Sequence, residues 1–306
     1  MTIMSLICLD QWYLVFKYCK GRSQILLKSC TTILSRNLKL TKIHCINCKD
    51  KQRLWNVISK NRSTIKSFIL SIENLSGHED KLPPKIDFLE VRFGGWDADI
   101  CAHSSFLGPD DPKLNLAKIN IKFLKLIANK DKYPNQEWAM KSPYVRLVEH
   151  LYLKEFSFNF CKNGMPRLKS LEMRGKLGFR GIGHLKALKK LVIKDRKNLT
   201  DDCWDFNDFR NNDVFKGLIN LESLTLEACE LDIPKMPLLR TLCLIKSSTK
   251  KIFGKNLKFV TIEESKNDIN IESTNLRILT IKNNYHLVNY PLNTHLKVFS
   301  NIEEYC

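Results

Sequence analysis

The chain has 306 residues, with 50 Lys and Arg against 32 Asp and Glu, a formal net charge of +18, and 43% hydrophobic residues. That length gives room for one large domain or two smaller ones with a buried core, which excludes a mostly disordered chain. The most apolar stretch, Ile3 to Cys19, is broken by Asp10 and Lys17, so no uncharged run reaches the roughly 18 residues a membrane helix needs.

Ile3, Met4, Leu6, Ile7, Cys8 and Leu9 are apolar, but no basic segment precedes them, Asp10 follows directly, and no small-x-small cleavage pattern appears. Secretion is therefore not expected. The 11 cysteines are odd in number and sit mostly inside apolar patterns, as small hydrophobes do. Reduced thiols, in the cytoplasm and/or the nucleus, are expected. Residues 5 to 36 read as short amphipathic helices broken at Lys20-Gly21-Arg22. Leu9, Trp12, Phe16 and Cys19 form one apolar stripe, and Ile25, Leu26, Ser29, Cys30 and Ile33 a second, with Ser23 placed to cap it. Such pieces are too small to stand alone, so their apolar face needs a partner.

Cys45-x-x-Cys48, after His44, has half the spacing of a zinc site. A second close pair is missing, so buried thiols are expected there and no metal ligand is assigned. Asp50 to Ser59 reads as a further helix. Beyond it an apolar-x-x-apolar-x-apolar hexad takes over. It fits well at Ile65-x-x-Phe68-x-Leu70 and Ile86-x-x-Leu89-x-Val91, and ambiguously at Leu116-x-x-Ile119-x-Ile121. Regular copies begin at Val148, Leu168, Leu188, Leu221, Leu239, Leu257 and Leu276, with a weakened last copy at Leu296-x-x-Phe299.

The hexads from Val148 to Leu296 start 20, 20, 33, 18, 18, 19 and 20 residues apart. Their last two apolar residues would share a buried face of a short strand, and the residue between them would face out. One copy cannot bury that stripe, whereas stacked copies bury it continuously. The short steps leave room for extended or 3₁₀ returns; the longer gaps, Asp201 to Gly217 among them, have room for helices. This pattern resembles the leucine-rich repeat family. The resemblance implies an α/β fold in which a curved solenoid carries a parallel sheet on its concave face. The Asn usual at the ninth position is mostly replaced, by Phe156, Lys176, Arg196, Cys229, Ser247 and Ser265, with Asn284 an exception. Cys229 resembles the cysteine-containing subtype.

The stretch Ile7-Cys8-Leu9-Asp10-Gln11-Trp12-Tyr13-Leu14-Val15-Phe16-Lys17-Tyr18-Cys19 resembles the opening of an F-box. Ile7 takes its first Leu, Asp10 its acidic position, Trp12 the next apolar one, and Val15, Phe16 and Tyr18 its Ile-Phe-x-Tyr core. Ser23 to Leu27 would cover a later Asp-Leu-Leu segment, with Cys30 near a third element. Cys8 stands in place of a Pro, Cys19 in place of a Leu, and no Trp follows Cys30. The resemblance implies a helical adaptor-binding region over residues 1–48, a linker helix over 49–63 and a repeat solenoid over 64–306. Its adaptor-binding residues would be Ile7, Leu9, Asp10, Trp12, Val15, Phe16, Tyr18, Ile25, Leu26 and Cys30.

Signatures of catalysis are missing from the sequence. Gly178, Gly181 and Gly183 are in the wrong order for a dinucleotide fingerprint and read as turn glycines, and there is no nucleophile elbow, zinc-protease or kinase motif. Neither an enzymatic role nor a cofactor is expected. The charge is more informative once placed on the repeat. The residue just after each strand is in turn Arg92, Lys154, Arg174, Lys194, Glu227, Ile245, Glu263 and Lys282. Lys154, Arg174 and Lys194 would stack into a basic column with His150, Tyr152 and Lys190 beside it, ending at Glu227. Glu155, Glu172 and Asp195 stand near enough to neutralise it internally. An acidic or phosphorylated protein segment fits such a column; nucleic acid fits less well, because the column is short.

The two resemblances together imply a substrate-recognition subunit of a Skp–cullin–F-box ubiquitin ligase. It would bind a Skp-family adaptor, and through it a cullin, and hold a target for ubiquitination and proteasomal degradation. Two alternatives compete. One is a repeat scaffold or effector with no ubiquitin link, whose N-terminal helices cap the solenoid; the other is a basic nucleic-acid-binding solenoid.

Overall fold

The computed structural model describes residues 41–46, 50–93, 114–128, 139–175, 179–194, 215, 217–228, 233, 235–291 and 295–301. Strand β1 (Lys42–Cys45) returns to β2 (Ser67–Ser71) through helix α1 (Lys51–Lys60), and α2 (Ile72–Leu75) follows β2. Next come β3 (Lys85–Phe93) and β4 (Asn120–Ala128). Short return strands then alternate with sheet strands: β5 (Ala139–Lys141) before β6 (His150–Lys154), β7 (Ser157–Asn159) before β8 (Ser170–Arg174), and β9 (Phe179–Arg180) before β10 (Lys190–Lys194). After β11 (Ser223–Glu227) and β12 (Thr241–Ile245) the alternation resumes with β13 (Lys251–Phe253), β14 (Phe259–Glu263), β15 (Ile269–Glu272), β16 (Ile278–Lys282), β17 (Val288–Asn289) and β18 (Lys297–Asn301).

Among the described residues, one 12-stranded sheet takes β1, β2, β3, β4, β6, β8, β10, β11, β12, β14, β16 and β18 in sequence order, and the return strands form two 3-stranded sheets. Neighbouring strands are parallel and stay in register: Leu151 lies opposite Leu171, and Leu171 opposite Leu191. The reason is the period of two within each hexad. Leu151 and Leu153 are buried while Tyr152 between them is not, and β8, β11, β12 and β14 repeat the pattern. Each such leucine contributes about 1.5–3 kcal/mol by leaving water, and a slip of one residue would turn the whole set outward. The fold is thus mixed α/β, a stack of parallel coils with extended or 3₁₀ returns and few helices among the described residues.

What ends six of the sheet strands is also periodic. Two residues past the second buried apolar position the backbone turns left-handed, at Glu155 (φ 52), Gly175 (φ 91), Ala228 (φ 52), Lys246 (φ 53), Glu264 (φ 49) and Asn283 (φ 45). The turn aims an amide along the stack, so that Glu155 N–H donates to Arg174 O at 3.0 Å, Ala228 N–H to Ile245 O at 2.8 Å and Lys246 N–H to Glu263 O at 2.8 Å. Each non-glycine residue there costs about 1–2 kcal/mol of backbone strain, which the hydrogen bond and the packing of the next coil offset.

Just after these turns the two halves fill the interior differently. Phe156 packs tilted on Phe93 with centroids 4.7 Å apart, and Phe158 on Phe160 at 4.7 Å. Further along, buried Ser247, Ser265 and Asn284 replace the rings. Ser265 Oγ donates to Ser247 O at 3.3 Å and Asn284 Oδ1 accepts from Ser265 N–H at 2.8 Å, so the missing ninth-position asparagines are covered by hydroxyls. A second ladder runs before the strands, where the Asn256 and Asn275 amides donate to Pro237 O and Lys255 O, both at 2.6 Å.

Three expectations shift. The strand frame of β4 is Ile121-x-x-Leu124-x-Leu126, since Leu124 opposes Leu89 and Leu151; the Leu116 frame is five residues early, although Leu116 and Ile119 are buried too. In β18, Val298 opposes Leu279 and Phe299 opposes Thr280, so Phe299 faces outward and is 55% exposed. Finally, among the described residues the sheet already includes β1, ahead of the boundary at residue 64, and α1 is the return between β1 and β2, not a separate linker. Its Leu54, Trp55 and Ile58 are buried, Asp50 caps it by accepting from Arg53 N–H at 2.9 Å, and Trp55 Nε1 donates to Asn74 O at 3.0 Å. Of the helical region expected over 1–48, residues 42–45 form strand β1, and residues 1–40 lie outside the described residues, as do residues 201–214 of the gap from Asp201 to Gly217.

Two substitutions test this account by urea unfolding. Phe156→Ala lowers stability by about 3–5 kcal/mol, as loss of a buried ring does. Ala228→Val puts a β-branched side chain at a left-handed position and costs about 1–2 kcal/mol; no loss would mean that the turn is not set by its backbone.

Candidate functional site

The sheet face opposite the core carries the residues between and after the buried pairs, and parallel registration lines them up in columns whose members stand about 4.8 Å apart from strand to strand. Lys154 lies opposite Arg174, and Arg174 opposite Lys194, so the basic column read from the sequence is a geometric feature of the molecule. Next to Lys154 in the same column comes Ile127, then Arg92; Ile245 lies opposite Glu227.

The cations of the column differ. Arg174 is held by Glu172, whose Oε1 accepts from both Nε and Nη2 at 2.8 Å. Lys194 Nζ lies 3.9 Å from Glu227 Oε2, a loose pair with both side chains about one third exposed. Lys154 is exposed and has no ion-pair partner among the described residues. Of the expected neutralisers, then, Glu172 acts on Arg174. Glu155 is instead the left-handed turn residue, and its carboxylate lies against Gly175. Asp195 lies outside the described residues. Glu227, expected to end the column, also pairs with its last cation. Lys190 is exposed at the start of β10, opposite Ser170.

Tyr152 is the centre of the arrangement. Lys125 Nζ sits 5.2 Å from its ring centroid on one side and Arg174 Cζ 5.7 Å on the other, which orders the ring between two cations. Burial raises the pKa of its hydroxyl, partly opposed by Arg174. Lys125 in turn bonds Glu90 at 3.2 Å, and Glu90 accepts from Arg92 Nε at 2.6 Å. Glu90 is only 4% exposed although it lies on the open face. Burial pushes its carboxyl up, but the hydrogen bonds from Arg92 and Lys125 outweigh that and hold it below the usual carboxylate range.

His150 contributes a ring where the sequence suggested a charge. It stacks on Phe123 at 4.4 Å and 15°, and burial lowers its pKa against the pull of Glu149, so it is neutral near pH 7. Phe123 is 42% exposed and lies opposite Phe88, giving an aromatic strip beside the cations. Sequence reasoning missed Glu90, Lys125 and Phe123. The signal that finds Lys125 and Phe123 is the β4 frame: beginning the hexad at Ile121 places both on the open face. It also missed a second basic column, Arg240, Lys258 and Arg277, which stack on the rim where β12, β14 and β16 begin. None of these three has an ion-pair partner among the described residues.

The adaptor-binding residues expected at Ile7, Leu9, Asp10, Trp12, Val15, Phe16, Tyr18, Ile25, Leu26 and Cys30 lie outside the described residues. Cys45 is buried and unbonded to another cysteine, and no three His, Cys, Asp or Glu side chains come together as metal ligands among the described residues. No helix there is long and apolar enough to cross a membrane. No protein-family model and no curated protein matches the chain. The site is thus a preorganised, largely cationic sheet face with an aromatic border, suited to holding an anionic chain by charge and contact area.

Glu90→Gln leaves Arg92 and Lys125 without their shared carboxylate and lowers stability by about 1–3 kcal/mol at pH 7. Because the folded pKa of Glu90 is depressed, its contribution is present above the unfolded value near pH 4.3 and disappears as pH falls through the folded one. Denaturant midpoints measured between pH 7 and pH 3 should therefore fall less steeply for the variant than for the natural chain.

Proposed function

We propose that the chain is the substrate-recognition subunit of a Skp–cullin–F-box ubiquitin ligase, built as a leucine-rich-repeat solenoid behind an F-box. The carrying observation is the order of two parts: a segment resembling an F-box at Ile7–Cys19, then a long stack of parallel coils whose first described strand is β1 and which presents a polar sheet face. In this reading the N-terminal helices dock a Skp-family adaptor and through it a cullin, in the cytoplasm or nucleus. The face around Tyr152, Lys154, Arg174, Lys190, Lys194 and Glu227 is the concave surface that holds the target. Ubiquitin transfer occurs on a partner enzyme, so this chain works by raising the effective concentration of target lysines near it and needs no catalytic group.

A second reading has one observation of its own. β1 stands at the end of the sheet order, and the end of a solenoid needs a cap. Residues 1–40 then cover that end, and the chain is a binding scaffold with no ubiquitin link.

Pull-down of the full chain by a purified Skp-family adaptor separates the two. The ligase reading expects capture that falls at least about tenfold, or 1.4 kcal/mol, on Trp12→Ala with Phe16→Ala, with the unfolding midpoint little changed. Absence of capture, or capture indifferent to those substitutions alongside a large loss of stability, assigns residues 1–40 to the cap.

A further inference from the structure

We infer that the Lys154–Arg174–Lys194 column selects an acidic, unphosphorylated segment of extended chain, lying across the strands with carboxylates three residues apart and an apolar residue three further on. This rests on the target-binding half of the function proposed above and names the chemistry of that target.

Spacing is the first argument. Lys154 and Lys194 flank Arg174 one strand away on either side, so their backbones stand about 9.6 Å apart at the usual strand spacing. A polyproline-II segment, the common conformation of unfolded acidic chain, rises about 3.1 Å per residue with three residues per turn. Side chains at i and i+3 therefore share one edge about 9.3 Å apart, in step with the two lysines. A further three residues reach the position of Ile245, two strands beyond Lys194 and opposite Glu227. Ile245 is half-buried and offers an apolar contact there. Glu227 lies between, so a third acid is repelled and the acidic run must stop.

The donors available are the second argument. A phosphate dianion is best held by a guanidinium fork or by cations that converge on one point. Here Nε and Nη2 of Arg174 are occupied by Glu172. The remaining cations are lysines spread along the stack, Lys154 without an ion-pair partner among the described residues and Lys194 only loosely held at 3.9 Å. Separate point charges one coil apart suit separate monoanions. Tyr152, fixed between Lys125 and Arg174, gives the peptide backbone a rigid floor with little entropy left to lose.

Binding of fluorescein-labelled twelve-residue peptides to the full chain, followed by anisotropy, tests this without the adaptor. The probe holds Asp-Ser-Pro-Asp-Ser-Pro-Leu, or the reverse order, within a Gly-Ser frame. Replacing both Asp by Asn should weaken binding at least about tenfold, as should Lys154→Glu with Lys194→Glu; a peptide with Lys for both Asp should regain affinity for that doubly substituted chain, which shows the chain is folded. Arg240→Glu with Lys258→Glu changes net charge equally at the rim column and should leave affinity within about twofold. Failure of both peptide orders to bind, equal loss from the rim substitutions, or phosphoserine peptides binding about tenfold or more tighter than the Asp peptides would overturn the inference. Adaptor capture is measured separately, so failure here leaves the ligase reading standing, and loss of capture with peptide binding kept removes the ligase reading alone.

Discussion

Parallel stacking in constant register is the constraint from which the rest of this molecule follows. Once one coil sets its buried pair, the next is obliged to place its own pair opposite, and the left-handed turn that follows six of the strands fixes where the chain leaves the sheet there. Glu155, Gly175, Ala228, Lys246, Glu264 and Asn283 share that turn with unrelated side chains. It is thus enforced by the amide that Glu155, Gly175, Ala228, Lys246 and Glu264 each aim at the neighbouring coil, and residue preference has little part in it. Because the turn recurs, any residue type that recurs at one hexad position becomes a column in space. The open face inherits its chemistry from that rule.

The same rule lets the interior vary while the face stays aligned. Behind the turns, rings at Phe93, Phe156, Phe158 and Phe160 fill one half by shape, and Ser247, Ser265 and Asn284 fill the other by hydrogen bonds. Buried hydroxyls and amides are tolerable only because each is bonded: Ser265 and Asn284 meet the adjacent coil, and Ser247 Oγ pairs with Thr249 Oγ1 of its own coil at 2.9 Å. Glu90 is the corresponding case on the open face, a carboxylate almost removed from water and held there by Arg92 and Lys125. Removing that carboxylate would let Lys125 drift from Tyr152, so the buried acid supports the ring that the cations sandwich.

Much of the fold was legible because the hexad states which residues are buried, and the basic column followed from counting outward from Leu153, Met173 and Ile193. Legibility failed where apolar residues exceed what one frame needs. Leu114, Leu116, Ile119 and Ile121 are all buried ahead of or at the start of β4, and a frame built on them leaves Phe123 and Lys125 without a position. At the other end Val298 and Phe299 are both apolar, and only the hydrogen-bonded register with β16 decides which one faces out. β1 was hidden for a different reason. A four-residue strand, Lys-Ile-His-Cys, offers two apolar positions and a Cys-x-x-Cys coincidence that draws attention to metals. Ion pairing was the least legible element, since Glu172 and Glu155 look equivalent in sequence, yet one lies within the strand facing Arg174 and the other occupies the turn.

Net charge alone is a poor guide to such a face. Two unit charges about 5 Å apart in water repel by roughly 0.8 kcal/mol, less when screened by salt, so a column of three cations carries a standing cost with no packing return. Glu172 and Glu227 remove part of it and leave Lys154 uncompensated within the described residues. On the rim, Arg240, Lys258 and Arg277 carry the same sign in a similar mix of exposed and half-buried positions, and among the described residues no ring or carboxylate orders them. The difference between the two columns is therefore preorganisation. The rim cations lack such partners, while on the face Tyr152 and Glu172 fix Arg174 and the coils set the spacing of Lys154 and Lys194 on either side of it, so an anion arriving there meets a geometry largely assembled.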